Sequence, residues 1–276
     1  MKYKPKLQFD DKYNITDKSV AEIRRLIKKI EIDRDLIDAL FTDSRKTTTK
    51  IALNCEKRYH KIQKLKGKLS TFKNIENQIY NKGYHNIYGF YVTGLTAAAG
   101  PLTLCILKLN RFTEIMGIDY CNNLTQKQRL KIFKKLKNES EYINIKHINV
   151  EAIDKLGLKE AIKTGYREIE ETLEQAVELN IEKDFFIYYK YGINKRDNKV
   201  IKNTKKKIYT IACASIAAKV HRENRMKKLH GKYPDYHFDT NYGYITKEHR
   251  IAVKELGFTP IHRKTFDFEK KLEIEF

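Results

Sequence analysis

The sequence predicts an α/β fold: a mixed sheet flanked by helices, preceded by a small helical appendage. Three observations carry this. NIYGFYV and PLTLCILKL are short, β-rich runs parted by a small-residue turn, so they predict two successive strands. Downstream, the strand-like runs EYINIKHINV and DFFIYYKY alternate with helical patterns, which is the signature of an α/β sheet. Before residue 84 only helical periodicity occurs, so residues 1–84 are expected as a basic helical extension and 85–276 as the sheet domain.

Taken in order, Val20, Ile23, Ile27 and Ile30 recur at helical spacing between Thr16 and Leu40, with Thr16 or Asp17 as N-cap. A second helix is expected from Asp43–Ser44 through Ile51, Leu53 and Tyr59 to about Leu65, before Gly67. A third carries Phe72, Ile75 and Ile79 on one face and stops at Gly83. The middle helix is strongly basic (Arg45, Lys46, Lys50, Lys57, Arg58, Lys61), and two readings stand: a solvated face, or one that meets a duplex. Beyond the first two strands, helices are expected over Gln126 to Leu136, over Val150 to Leu179 with a break at Gly157, and over Ile208 to Lys232. The small residues Ala212, Ala214, Ala217 and Ala218 suit the last of these to close packing on a sheet, and Cys213 reads as a small apolar filler among them. Pro234 ends it, and Thr246 to Leu256 adds one more helix before a tail.

The 276 residues suffice to bury a continuous core without disulfides or metals. Cys55, Cys105, Cys121 and Cys213 are scattered, without a CxxC pair, which favours reduced thiols and a cytoplasmic setting. The start, MKYKPKLQFDDKYN, has no apolar core of a signal or anchor, and no apolar run approaches the roughly 20 residues of a membrane span. Net charge is +21 and the pI about 9.6, a field that attracts polyanions, nucleic acid first. The competing reading is codon bias toward lysine. Clusters at Lys202 to Lys207, Lys227–Lys228 and Arg263–Lys264 favour a binding face. His221, His237 and His249 have no triad-like partners at recognisable spacing.

Three C-terminal segments resemble ribonuclease HII: IACASIAAKVHRENRM, then LHGKYPDYHFDTNYGYITKEH, then LGFTPIHRKTF. They follow that family's small-residue helix ending in AKVxRD, its YPxYxFxxxxGYGTxEH stretch and its closing TPxHRxSF, with matching spacing. GIDYCNNLT, the Ile153–Asp154 and Ala161 helix, and the N-terminal helices with DSRK at Asp43 extend the resemblance over nearly the whole chain. It implies a ribonuclease H-like fold and a hybrid RNA·DNA substrate.

The resemblance also implies chemistry. Family members cut the phosphodiester beside a ribonucleotide with Mg²⁺ or Mn²⁺ held by four acids. In this chain those positions fall on Tyr91, Val92, Tyr189 (Lys190 if the register slips by one) and Lys205. None is an anionic ligand near neutral pH, and their formal charge becomes +1 in place of −4. Asp119, Glu223 and Asp184 lie near the motifs but not at the family's ligand positions. The family's glycine-rich turn reads Gly94-Leu95-Thr96, without its basic residue. The expectation is therefore a pseudo-nuclease that binds hybrid or duplex without a metal cofactor. Its contacts are expected from Lys205, Lys206, Lys207, Lys219, Arg222, Tyr244, His262, Arg263, Lys264, Arg45 and Lys46. Tyr244 reads equally as a core tyrosine at a turn, and His262-Arg263-Lys264 as a structural tail. An active ribonuclease HII with relocated ligands and an assembly subunit with a protein partner are the alternatives.

Overall fold

A computed structural model of the chain describes residues 13–180, 182–189, 200–202 and 207–267. The chain divides into two compact units, Met1–Lys68 and Leu69–Phe276. The sequence suggested a boundary near residue 84. The division falls earlier because Leu69, Phe72, Ile79 and Tyr80 are buried with the sheet's own core.

The N-terminal unit holds α1 (Val20–Lys29), α2 (Arg34–Thr42) and the start of α3 (Lys46–Asn81). Ser19, rather than Thr16 or Asp17, caps α1, forming a reciprocal capping box with Glu22. The single helix expected from Thr16 to Leu40 is two. Asp33 caps a new start by accepting from the Leu36 amide at 2.8 Å, and a local side-chain bond of that kind competes with helix continuation. Conversely, the helices expected on either side of Gly67 are one. A lone glycine costs a helix only about 1 kcal/mol, which does not break it. Ile23, Ile27, Leu36, Ile37, Leu40, Ala52 and Cys55 form this unit's core.

In the second unit, β1 (Asn86–Thr93) and β2 (Leu102–Leu109) pair antiparallel as expected. After α4 (Gln126–Glu139) come β3 (Ser140–Ile148), α5 (Val150–Ala176), β4 (Asp184–Tyr188) and β5 (Val200–Lys202). The chain ends in α6 (Tyr209–His230), α7 (Phe238–Asn241) and α8 (Lys247–Leu256). The sheet runs β3-β2-β1-β4-β5, with β4 parallel to β1 and β5 parallel to β4. The three-residue β5 had no sequence signal. Gly157 interrupts α5, as its sequence predicts.

Both sheet faces are covered, so the central strands read as continuous apolar runs rather than alternating ones. Ile87, Tyr91, Cys105 and Leu107 face α6, while Tyr88, Phe90, Val92, Leu104 and Ile106 face α5. The alanines of α6 are fully buried, as their size predicts. Gly89 permits that approach: a β-carbon there would lie 2.9 Å from Thr210 backbone carbon. Ile208, at the N-cap of α6, offers no side-chain acceptor, and buried Glu76 of α3 supplies one, accepting from the Thr210 amide at 2.6 Å. Among the described residues no helix is long and apolar enough to cross a membrane.

Two predictions follow from this packing. Gly89→Ala is expected to destabilise the fold by about 1–3 kcal/mol, because the neighbour is backbone and cannot rotate away; urea unfolding reads it. Burial pushes the Glu76 carboxyl up to about 7, against 4.5 ordinarily. The folded state therefore holds this proton more tightly, so the stabilisation is present below about pH 4.5 and is lost as pH rises through 7. Wild type should lose stability relative to Glu76→Gln across that window; parallel pH profiles would show the carboxyl to be unperturbed.

Candidate nucleic-acid interface

The positions singled out in the sequence gather where β1 and β4 end. The two strands run parallel, and the Tyr189 amide donates to the Phe90 carbonyl at 2.8 Å, which sets Tyr189 beside Tyr91. Their rings stack, with centroids 4.5 Å apart and planes at 22°. Tyr91 is buried, and its hydroxyl lies 3.8 Å from the Cys121 sulfur. Burial first, then Cys121, Tyr189 and Tyr244, hold its phenol well above the ordinary tyrosine range. Val92 points to the opposite face, into the core under α5. Tyr189 is partly exposed. Lys190, Lys205 and Lys206 lie outside the described residues.

The loop after β1 is held by two buried arginines. Gly94 adopts φ +87°, and a β-carbon there would lie 2.4 Å from the Arg222 Nε. Arg222 is completely buried and donates to the carbonyls of Ala99 (3.1 Å), Pro101 (3.1 Å) and Tyr242 (2.7 Å). Arg263 donates to those of Gly94 (2.7 Å) and Gly100 (2.9 and 3.1 Å). Burial lowers both guanidinium pKa values, that of Arg263 to about 9.

These contacts correct the expectation that Arg222, His262 and Arg263 reach nucleic acid. The arginine donors are engaged by backbone carbonyls. His262 is buried and accepts from the Thr259 amide through Nδ1, so its Nε2 carries the proton and donates to His249 Nε2 at 3.1 Å. His249 in turn donates through Nδ1 to the Tyr244 carbonyl at 2.9 Å. Burial lowers both imidazoles, His262 to about 4, which keeps the relay neutral. It anchors the backbone at Tyr244.

Arg45 is likewise structural in large part. It pairs with Asp43, whose carboxyl it holds down at about 2, and donates to the Lys18 carbonyl at 2.7 Å and that of Ile15 at 3.2 Å. Lys46 is exposed at the start of α3, in the N-terminal unit.

The remaining cations fall into three places. Lys219 lies over the Tyr244 ring at 4.8 Å, and Arg222 approaches the same ring at 5.1 Å. Lys207 is exposed and lies 5.9 Å from the Phe72 ring. Lys264 is exposed, with its amide bound to Asp154 of α5 at 3.0 Å. Within the second unit the structure thus brings Tyr91, Tyr189, Tyr244 and Lys219 together, but not Lys264 with them.

The neighbouring acids are engaged. Glu223 is buried against Arg129 at 2.6 Å. Asp184 begins β4, the end away from Tyr189, and accepts from Asn86 and the Asn180 amide. Asp119 accepts from the Tyr120 amide and Asn123. Among the described residues no group of three or more His, Cys, Asp or Glu is placed to hold a metal ion. Sequence reasoning missed the Arg129–Glu223 pair and the carbonyl-bound arginines, because pairing across 94 to 169 residues leaves no local pattern.

Comparison with known proteins now decides the family. The ribonuclease HII sequence profile matches residues 93–269, and that of the ribonuclease HII N-terminal domain matches residues 19–80. This chain belongs to the ribonuclease HII family. It is 33% identical over 252 residues to the ribonuclease HII of Clostridioides difficile strain 630, covering 91% of this chain and 97% of that protein. With ribonuclease HII of Oceanobacillus iheyensis the identity is 32% over 256 residues, covering 90% and 94%. The crystal structure of ribonuclease H2 from Pyrococcus horikoshii OT3 shares the fold, with a TM-score of 0.51 and 24% identity, over 68% of this chain and 97% of that one. The ribonuclease H-like mixed sheet with a helical N-terminal part is therefore as the sequence predicted.

Because Arg222 satisfies three buried carbonyls, Arg222→Met is expected to cost about 3–5 kcal/mol of stability. Lys219→Met on the same helix should cost under about 1 kcal/mol. Guanidinium unfolding midpoints check both; equal losses would show that the clamp does not hold the loop.

Proposed function

We propose that this ribonuclease HII family member binds RNA·DNA hybrid or duplex nucleic acid without metal-dependent cleavage. The observation that carries this reading is the Tyr91–Tyr189 stack at the converging ends of β1 and β4, where the resemblance puts two of the family's metal-binding acids. Mg²⁺ and Mn²⁺ need oxygen ligands with compensating negative charge. A buried protonated phenol, the Val92 isopropyl group and a second phenol supply none, and Lys205 would add a cation. These residues do not fit a divalent ion, so no hydrolytic step is assigned to them. The match to the family profile begins at Thr93, directly after Tyr91 and Val92.

Binding is assigned to Lys207, Lys219 and Lys264, with Tyr244 against a sugar or base and Lys205, Lys206 and Lys46 adding to the field. The net charge of +21 supports it. Four buried, unbonded cysteines support a reducing, cytoplasmic setting. A second reading, an active hybrid endoribonuclease with ligands drawn from elsewhere in the chain, is favoured by relatives named ribonuclease HII that match over nine-tenths of the sequence.

One set of measurements separates the two. Calorimetric titration with Mn²⁺ should give no saturable heat, and a duplex with one embedded ribonucleotide should stay intact with Mg²⁺ or Mn²⁺. Hybrid affinity should fall about 100-fold between 50 and 200 mM salt if about four phosphates are neutralised. Metal-dependent cutting that survives repurification would overturn the first reading in favour of the second.

A further inference from the structure

We propose that the tyrosine pair at the end of the sheet takes the face of an unpaired nucleobase, so that the chain prefers a hybrid carrying a single-stranded segment to a fully paired one. This rests on the nucleic-acid-binding reading and goes beyond it, by naming the part of the ligand that the altered centre meets. Tyr91 and Tyr189 are near-parallel, at 4.5 Å between centroids, which extends one aromatic face from the buried end of β1 to the partly exposed Tyr189. Tyr244 is partly exposed and close enough to Tyr91 to perturb its phenol, and Lys219 lies over its ring at 4.8 Å. Aromatic rings set beside cations are the elements of single-strand recognition: bases stack on the rings and the ammonium donates to the phosphate backbone.

The chemistry selects the base rather than the phosphate. A phosphate gains nothing from the face of a protonated phenol, whose quadrupole is negative. A nucleobase has a flat face that stacks on it whatever its sequence. Within a paired helix, away from its ends, both faces of each base are already covered by neighbours, so there only an unpaired or extruded base presents one.

The test uses the full chain and three ligands: a fully paired hybrid, the same hybrid with a short single-stranded extension, and that extension made of abasic sites. Anisotropy titration should show the base-bearing extension bound roughly ten-fold more tightly than the other two. A 2-aminopurine in the extension should be quenched on binding. Tyr189→Ala should remove the preference and Tyr189→Phe should keep it. If Tyr189→Ala fails to fold, the abasic comparison on the wild type still decides. Equal affinity for base-bearing and abasic extensions overturns this inference and leaves hybrid binding standing. Absence of binding to all three overturns the proposed function itself.

Discussion

The geometry at the end of β1 depends on two buried guanidinium groups that have spent their hydrogen bonds on backbone carbonyls. Arg222 and Arg263 together hold the segment from Gly94 to Pro101, and Arg222 also takes the Tyr242 carbonyl. Backbone amides complete the knit: Ala98 and Ala99 donate to Gly243, Gly100 to Ile261, and Arg263 to Ala98. Removing one guanidinium would leave several buried carbonyls without partners, and each such loss costs about 1–3 kcal/mol. The loop therefore has one conformation, and the strand leading into it has one register.

On the proposed reading, that clamp lets the fold tolerate a changed centre. The residues that build the core are the alanines of α6, the apolar faces of β1 and β2, and Glu76 at the helix start; none depends on a metal or on acids at the strand ends. On the proposed reading, converting a cluster of carboxylates to tyrosine and valine removes like-charge repulsion and adds apolar burial. Active centres commonly carry such strain at a cost to stability, so a binding role relaxes a constraint that catalysis imposes. On that reading Tyr91 and Val92 add to the core, with Tyr189 partly exposed at its edge.

The basic residues sort by the same physics. Four arginines use their planar forks on carbonyls and carboxylates within the fold, while several lysines keep hydrated ammonium groups at the surface. Arg45, Arg129, Arg222 and Arg263 are all engaged in this way, whereas Lys46, Lys207 and Lys264 are exposed.

Much of the fold was legible in the sequence. The β-rich runs at Asn86 and Pro101, the alanine-rich helix after Ile208 and the glycine break at 157 are local signals, because strand and helix periods and backbone freedom are written in adjacent residues. So were the family motifs and the identities of Tyr91, Val92 and Tyr189. Helix boundaries were less so: Asp33 restarted a helix and Gly67 failed to stop one, since a cap and a glycine differ by about a kilocalorie from the alternatives. Only the tertiary structure decided that Tyr91 and Tyr189 stack and that Arg222, His262 and Arg263 face inward. The tyrosine pair and the arginine clamps join residues about 100 to 170 positions apart, which no local spacing records.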